Sequence, residues 1–466
     1  MRLRRVLSRS QVEAIHRNAL RVLAEVGVKV EHPELRKRLV ALCGRCEPGA
    51  DVVCFPADAV ERLIWDAPKR PKRDEPATVG AHAGVYQSQY LDAATGELRP
   101  FDEALLARYL AFAHSRATVK SVGMLGVPFI PEGIPAPYIP LAEKLFAWKY
   151  GARPDGTVQF TGLCEPLLEV FACHAAASGA KLEQVFAATG YLISPLRLAR
   201  HECEQLLFFA ARGLHMGIGH LPIQGVTAPV TLGGSIVLSL AEQVFLFLLM
   251  ETLWGDATFA VGGTVATADM RTGFSCYGRP EMQRINVAFA DIARFYGCSC
   301  WGHTGPTDAR APSCEAGAQK AIAALITALA TGHGSISAGL LAVDEICSPV
   351  QMVLDDELTA NLQALLAGME LHEADYAFDE ILAVGPGGSF LGTDFTAERY
   401  RRELHQPQVW TAGRLASGSR IDIDHAREIA VEFERSFVPT PRISPEEEKD
   451  LRRIIGRAVA AGLAEK

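Results

Sequence analysis

The chain lacks an excess of positive charge and lacks a long uninterrupted apolar run. Its 466 residues carry a formal net charge of -8, which argues against nonspecific binding to nucleic acid because that requires a basic face. The longest apolar stretch, Ser235 to Trp254, is interrupted by Glu242, Gln243 and Glu251, so no membrane span is expected. The start, Met1 to Arg5, is basic but lacks the apolar core of a secretory signal, and we expect a cytoplasmic protein.

Cysteines do not form a recognisable disulfide framework, and no dinucleotide fingerprint occurs. The eleven cysteines are an odd number scattered over a large chain, so reduced thiols are expected. No GxGxxG opens a strand–helix turn. With 49% apolar and only 21% charged residues, the chain is instead typical of a globular protein with a large core.

The alternation of short apolar strands with helices predicts a parallel sheet. We expect an extension of helices and a β-hairpin over residues 1–101, with a capping box at Ser10–Glu13. A (β/α)8 barrel is expected over 102–410, and a charged helical tail over 411–466 that packs on the barrel. An eighth strand is placed near Ile381–Val384. The other seven predicted strands are Val122–Val127, Val158–Leu163, Val185–Ile193, Gly217–Gln224, Thr258–Val265, Cys298–His303 and Ser335–Leu341.

The run from Thr227 to Pro280 is the most informative part of the chain. It runs through Thr227–Ser235, a long apolar helix, Phe259–Thr264, and a loop containing Asp269 and Arg271. Glycine, threonine and charged residues are concentrated where a predicted strand is followed by a helix. In a barrel of parallel strands this is the face that carries the active site.

This block resembles the corresponding segment of the trimethylamine methyltransferase family, and the resemblance covers nearly the whole chain. It also includes Glu25-Val26-Gly27-Val28, the Asp92 to Arg99 hairpin, and the glycine-rich Val384 to Leu391. The resemblance implies transfer of a methyl group from a methylated amine to Co(I) of a separate corrinoid protein. The cobalamin would be carried by that partner, since this chain has no Asp-x-His-x-x-Gly stretch, and a homo-oligomer is expected.

One branch of that family carries pyrrolysine near the region that here runs from Trp301 to Pro312. This sequence has only standard residues there, including Gly305 to Arg310, and so resembles the branch that demethylates quaternary amines such as glycine betaine. The chemistry agrees with this distinction, because a quaternary ammonium already carries its charge and leaves as a neutral amine. The protein then has to hold the cation in line with the cobalt and exclude water.

Aromatic faces are the expected means of recognising a quaternary ammonium, which cannot donate a hydrogen bond. Each candidate alone is more often a packing residue of the core. We favour Trp301 because it ends a strand beside His303. The six candidates, all near strand ends or in loops, are Tyr86, Tyr90, Phe160, Tyr191, Trp301 and Phe390.

Polar residues near the strand ends are predicted to orient the rest of the substrate. His220, Gln224, His303 and His333 are the candidates, although each alone is more often a structural residue. Arg310 could bind a substrate carboxylate through a bidentate contact. A salt bridge to Asp308 or a solvated position in the loop is the equal alternative.

Two loops are predicted to face the corrinoid protein. Asp269 and Arg271 follow a strand at the expected catalytic face, with a simple mutual ion pair as the alternative. Gly387 and Gly388 lie in a run that requires positive φ or close backbone approach, where a plain turn is equally expected.

Two alternative functions stay open on the sequence. Cys298, Cys300 and His303 could ligate zinc in a zinc-dependent corrinoid methyltransferase, although CxCxxH is not a standard ligand spacing. Our main interpretation assigns no metal to this chain. The chain could also be a binder of a quaternary amine that has no catalytic activity.

Overall fold

The computed structural model describes residue 3 and residues 5–69, 76–86, 88–410, 412 and 421–465. The helices are Arg9–Arg21, Pro33–Leu42, Ala57–Asp66, Glu103–His114, Ile139–Tyr150, Cys164–Ser178, Leu182–Val185, Arg200–Ala210, Leu232–Trp254, Pro280–Tyr296, Cys314–Thr331, Pro349–Leu366, Phe378–Val384, Asp394–Glu403, Asp422–Ser436 and Pro445–Ala460. Short π or 3-10 turns cover Val22–Val26, Ala136–Tyr138, Thr161–Leu163, Glu373–Tyr376 and Leu463–Glu465. The fold is therefore rich in helices that alternate with short strands.

Eight short strands of the described residues form three parallel ladders. In chain order they are Thr78–Val85, Val119–Met124, Arg153–Pro154, Thr189–Leu192, Gly217–His220, Val261–Gly263, Cys300–Gly302 and His333–Ala338. The remaining strands are Val28–Val30, Val52–Val53, Gln89–Leu91, Leu98–Arg99, Arg197–Leu198, Ile223–Gln224, Ala266–Ala268, Ser275–Cys276, Leu340–Leu341 and Ile346–Cys347. The parallel arrangement confirms the mixed α/β class expected from the alternation.

The order of pairing places the last parallel strand beside the first. His333–Ala338 pairs with Thr78–Val85, which pairs with Val119–Met124, and this strand pairs with Arg153–Pro154. A bridge from Thr157 to Thr189 leads to the next pair, Thr189–Leu192 with Gly217–His220. Val261–Gly263 pairs separately with Cys300–Gly302.

Among the described residues, Gly217–His220 forms no ladder with Val261–Gly263, nor Cys300–Gly302 with His333–Ala338, although directly beyond the first two strands Ile223–Gln224 pairs parallel with Ala266–Ala268. Side chains make contacts at both junctions. At the first, the Gln243 side chain donates Nε2–H to the Gly262 carbonyl at 2.9 Å and accepts from its amide at 2.7 Å. There, too, His220 Nε2 lies 3.1 Å from Thr264 Oγ1. At the second, the Ser335 amide donates to Thr304 Oγ1 at 3.1 Å. The residues at these junctions thus satisfy polar groups that a ladder would otherwise pair.

Several sequence-based expectations need correction. The segment near Ile381–Val384 is not a strand, since Phe378–Val384 is an exposed helix. The missing strand is Thr78–Val85, which pairs on both sides although it precedes the predicted boundary at 101/102. The first helix is capped by Ser8 and Gln11 and not by Ser10. The predicted boundaries of the three regions stay a prediction.

The helix Leu232–Trp254 has the length and apolar composition of a membrane span, contrary to the expectation from its interrupting polar residues. However, 78% of its most apolar window is buried inside the protein, and a core helix passes the same test. The tail supplies Asp422–Ser436 and Pro445–Ala460, whose apolar sides are buried at Ala426, Ala430 and Leu451. Residues 411, 413–420 and 466 of the predicted tail lie outside the described residues.

Candidate functional site

Three interior positions of the central strands are glycines that lie under aromatic rings. A Cβ added to Gly262 would lie 2.3 Å from the Trp301 ring, and one added to Gly219 would lie 3.0 Å from the Tyr191 ring. A Cβ at Gly84 would lie 3.4 Å from the Tyr86 ring. Since alternate residues of a strand face opposite sides, each ring lies on the side of its strand opposite to that of its immediate neighbours in the chain. Small residues at these positions leave room for aromatic faces there.

Three tyrosines and two carboxylates gather beyond the carboxyl ends of the strands, and we call Tyr86, Tyr191, Tyr277, Asp155 and Asp344 the mouth cluster. Burial raises the pKa of Tyr86, and the charge on Asp344 and the neighbouring Tyr191 and Tyr277 raise it further. Burial raises the pKa of Tyr277 to about 12, with Asp344 as the next cause. These mutual influences mean that the groups lie within electrostatic range of one another.

The mouth cluster has the chemistry of a site for an organic cation. Aromatic faces attract cations through the ring quadrupole, and a nearby carboxylate adds a charge of opposite sign. Burial raises the pKa of Asp344, and the adjacent Glu345 adds to this effect. A cation bound there would favour the ionised form of Asp344 and would be stabilised by it in turn.

A cavity of about 820 Å³ adjoins the cluster and shares Tyr277 and Asp344 with it. This mouth cavity is of the size usual for small-molecule sites. Arg310 lines it with an exposed side chain and forms no ion pair within the part of the chain that the structure describes. The alternative pairing of Arg310 with Asp308 does not occur, because Asp308 accepts hydrogen bonds from the amides of Tyr277 and Gly278 at 2.7 and 3.2 Å.

His303 lies beside the cluster, with its ring 5.0 Å from that of Tyr277 in an edge-to-face arrangement. Burial lowers its pKa to about 4, so the imidazole is neutral at pH 7. Its buried Nδ1 atom has no hydrogen-bond partner among the described residues. A neutral imidazole with a free nitrogen can accept or donate one hydrogen bond, according to its tautomer.

Asp269 and Arg271 lie in a loop at the edge of the mouth cavity. The Asp269 carboxylate accepts from the Arg271 amide at 2.8 Å and from Arg279 Nη2 at 2.6 Å. The amide of Arg271 and the two guanidinium groups hold the pKa of Asp269 well below its usual range. The Arg271 side chain is 87% exposed, and its guanidinium is accessible to a docking protein.

Other predicted residues occupy different surroundings. His220 Nε2 lies 3.1 Å from Ser239 Oγ, and burial lowers its pKa to about 4. Gln224 Nε2 donates to the Val230 carbonyl at 2.8 Å. Trp301 and His220 line a second cavity of about 510 Å³ at the Gln243 junction. Phe160, which is half-buried, packs against the core beside a 3-10 turn.

Five candidates lie away from the mouth. Tyr90 is buried and its hydroxyl donates to Glu434 of the tail. His333 begins its strand, at the end opposite the mouth, and contacts Thr78 Oγ1 at 3.3 Å. The expectation that His333 joins the other polar residues is therefore wrong. Phe390, together with the Gly387–Gly388 pair, lies in an exposed C-terminal segment.

The proposed zinc ligands do not come together. Alternation along the strand puts Cys298 and Cys300 on one side and Trp301 and His303 on the other. Both cysteines line a cleft with residues of Pro280–Tyr296 and the end of Cys314–Thr331, whereas His303 contacts Tyr277. No group of three potential metal-ligating side chains occurs in the part of the chain that the structure describes.

Tyr277, Asp155 and Asp344 of the mouth cluster are not among the residues predicted from the sequence. Asp155 directly follows Arg153–Pro154, and Asp344 follows Leu340–Leu341 in the loop beyond His333–Ala338. Tyr277 follows Ser275–Cys276 in the loop beyond Val261–Gly263. All three positions lie after strand ends, where a barrel carries its active site. A search of every loop after a strand for acidic and aromatic residues would have found them.

Comparison with known proteins identifies a family whose model matches this chain. Residues 170–457 match the family model described as trimethylamine methyltransferase (MTTB). A trimethylamine methyltransferase MttB of Desulfitobacterium hafniense is 24% identical over 93% of this chain and 90% of that protein. A glycine betaine methyltransferase of another strain of that species is 25% identical over 97% of this chain and 96% of that protein.

Solved structures give a weaker likeness. The monomethylamine methyltransferase MtmB of Methanosarcina barkeri aligns with a TM-score of 0.43 and 11% identity, over 92% of this chain and 93% of that one. A hydroxylamine complex of MtmB aligns with the same score over 97% and 91%. At this level the likeness carries no argument.

The two neutral histidines predict a pH dependence of stability. For His220 and His303 the pKa in the folded protein, about 4, lies below the unfolded value of about 6.5. The unfolded chain therefore binds more protons between these values, and stability falls as pH drops through this window, by at most about 1.4 kcal/mol per pH unit for each histidine. Urea unfolding at pH 4 to 7 gives the free energy of unfolding at each pH. As the pH decreases, this free energy should fall less steeply in His220→Gln and in His303→Gln than in the wild type. Slopes equal to wild type would contradict the assignment.

Proposed function

The chain belongs to the trimethylamine methyltransferase (MTTB) family, and from this premise we propose that it demethylates a quaternary amine, glycine betaine or a relative. The methyl acceptor is Co(I) of a separate corrinoid protein. The observation that supports the proposal is the mouth cavity of about 820 Å³, which Tyr277, Arg310 and Asp344 line. The absence of pyrrolysine from the chain favours a quaternary over a tertiary amine.

We also propose that the eight parallel strands form a (β/α)8 barrel with two side-chain-bridged junctions. The first and last strands pair. The His220–Thr264 contact and the ladder of Ile223–Gln224 with Ala266–Ala268 cross one junction, and the Thr304–Ser335 contact crosses the other. In such a barrel the carboxyl ends of all eight strands meet at one face. Tyr86, Tyr191 and Asp344, which follow or end different strands, would then meet around one substrate.

The corrinoid partner supplies the nucleophile that accepts the methyl group, and this chain's own residues bind and orient the donor. Tyr277 and Asp344 hold the trimethylammonium group. The C–N bond breaks and the nitrogen keeps the electron pair, so the product is a neutral amine. Because the site loses the positive charge during the reaction, the aromatic faces bind substrate more strongly than product.

An apolar rim suits the docking of a protein at the mouth. Exposed apolar side chains follow four of the strands, and single-protein surfaces seldom concentrate such residues without a partner. Arg271 lies in the same rim and supplies charge. The rim consists of Ile130, Ile193, Val226, Val230, Met270 and Phe274.

The mouth cavity offers a place for a substrate carboxylate beside the cation site. Arg310 is exposed there and lacks an ion pair in the described residues, so its guanidinium is available for a bidentate contact. A molecule with a quaternary ammonium at one end and a carboxylate at the other matches this arrangement of opposite charges. Glycine betaine and its longer relatives have that structure.

The direct test is methyl transfer in vitro. Purified enzyme is incubated with a reduced corrinoid protein and a panel of glycine betaine, longer betaines, choline and trimethylamine. We expect methylation of the corrinoid, followed by its visible spectrum, together with an equal amount of demethylated amine. Transfer from trimethylamine alone, or from none of the panel, would refute the proposed reaction.

The proposed contact of Tyr277 in the mouth cluster with the substrate cation predicts distinct effects of two substitutions at this position. Tyr277→Leu removes the aromatic face and should raise KM for the quaternary amine about 30-fold, since a desolvated cation–π contact is worth about 2 kcal/mol. Tyr277→Phe keeps the face and should leave KM within about threefold of wild type. Steady-state kinetics with saturating corrinoid protein measures both. An equal rise in KM in the two variants would show that binding needs the tyrosine hydroxyl and not the aromatic face.

The carboxylate site predicts a substrate-dependent effect at Arg310. Arg310→Ala should raise KM for glycine betaine about 10- to 100-fold, because a charge-assisted hydrogen bond contributes about 1.5 to 3 kcal/mol. Choline, which has no carboxylate, should bind this variant as it binds wild type. Arg17→Ala, at an exposed position in the first helix, is the matched control. An equal rise in KM for both substrates would contradict the assignment.

A further inference from the structure

The turn over residues 342–345, beside the mouth cavity, has a strained backbone. It joins the antiparallel strands Leu340–Leu341 and Ile346–Cys347. Its first two residues, Ala342 and Val343, have φ values of 48° and 68°. Such left-handed values are uncommon outside glycine and are especially costly for a β-branched valine. A strained conformation of this kind persists only where surrounding contacts hold it.

Two backbone hydrogen bonds hold this turn against residues 307–309, which we call the brace. The Ala342 amide donates to the Ala309 carbonyl at 2.7 Å. The Val343 amide donates to the Thr307 carbonyl at the same distance. Both donors belong to the strained residues, so these two contacts explain why the left-handed conformation is kept without glycine.

Asp344 directly follows the strained residues and is fixed through its backbone. The buried Ser88 side chain donates its hydroxyl to the Asp344 carbonyl at 2.6 Å. The Asp344 amide donates to the Ala342 carbonyl at 2.9 Å. An aspartate side chain has only two rotatable bonds, so a fixed backbone restricts its carboxylate to a few positions. The place of the Asp344 carboxylate beside the mouth cavity therefore depends on the turn.

The brace also holds the backbone of Tyr277. Asp308 Oδ1 accepts hydrogen bonds from the amides of Tyr277 and Gly278 at 2.7 and 3.2 Å. Gln319 supports the brace, because its Oε1 atom accepts from the Thr307 hydroxyl at 2.5 Å and from the Asp308 amide at 2.9 Å. A Cβ added to Gly278 would lie 2.1 Å from this same oxygen, so the close approach of the two loops requires glycine.

Tyr277 and Asp344 are therefore tied to the same three residues of the chain. Both line the mouth cavity, and Asp344 is close enough to Tyr277 to raise its pKa. The Tyr277 ring also packs edge-to-face against His303 at 5.0 Å, which restricts its rotation. The width of the space between the ring and the carboxylate is consequently set by the protein and not by the ligand.

We propose that the brace fixes the separation of Tyr277 and Asp344, so that the site accepts a trimethylammonium group and rejects a bulkier one. This specificity rests on the proposed function and adds the residues that determine it. A site held rigidly by supporting residues selects by size, because a larger group must displace a fixed side chain or bind incompletely. Asp308 and Val343 are thus positioning residues, since they act on the substrate through Tyr277 and Asp344.

Calorimetric binding of two ligands to the full-length chain tests the proposal. The ligands are glycine betaine and its triethylammonium analogue, and the wild type should bind glycine betaine at least about tenfold more tightly. Asp308→Ala removes the acceptor of the Tyr277 amide. Val343→Pro removes the amide that donates to Thr307 and forbids the left-handed backbone. Each of these two variants should bind glycine betaine more weakly and should retain a preference of no more than about threefold, because the site is no longer held at one width.

Matched variants at the same two positions keep each contact and should keep the wild-type preference. Asp308→Asn retains an oxygen that accepts both amides, and Val343→Gly retains its own amide and favours positive φ. Far-UV circular dichroism verifies that all four variants fold. Equal affinity of the wild type for the two ligands, an unchanged preference in Asp308→Ala and Val343→Pro, or its loss in the matched variants as well would overturn the proposed specificity and leave the proposed function intact. A wild type that binds neither ligand would refute the proposed function and this specificity with it.

Discussion

The alternation of side chains along the parallel strands is the constraint on which the site depends. One side of each strand packs against helices and the other faces the interior, and three interior positions are glycine: Gly84, Gly219 and Gly262. Any larger residue at Gly262 would collide with the Trp301 ring. The same alternation separates Cys298 and Cys300 from His303, so one geometric rule both builds the aromatic interior and removes the candidate metal site.

The polar residues of the long helix Leu232–Trp254 form hydrogen bonds with other parts of the chain. These bonds explain why an otherwise apolar helix contains polar residues. Gln243 takes the place of a strand partner for Gly262, and Ser239 contacts His220. Glu242 accepts from the Leu196 amide and the Ser194 hydroxyl, and burial raises its pKa to about 7. Each of these groups would be costly to bury without its partner. The helix therefore contributes to the continuity of the central sheet as well as to the core.

The mouth contains carboxylates and guanidinium groups, and only some of them are paired with each other. Asp269 is neutralised by Arg271 and Arg279, and Asp308 is engaged by backbone amides. Asp344 and Arg310 have no ion pair among the described residues, and in the proposed site they are the groups that contact the ligand. A zwitterion satisfies both, whereas a simple anion or cation satisfies only one. The neutral state of His303 adds a hydrogen-bonding group that does not disturb this balance.

The sequence by itself determined the α/β class, most of the helices and the family, because local periodicity and motif spacing are properties of contiguous residues. It proposed Tyr86, Tyr191, His303 and Arg310 as site residues, because they lie at or near strand ends, and their roles stay a prediction. Only the tertiary structure decided which residues meet. It brings Tyr277, Asp155 and Asp344 near one another from separate loops. Tyr90 contacts Glu434, which is 344 residues away in the chain, and Ile381 lies in an exposed helix. Such contacts depend on packing between distant segments, which no local pattern encodes.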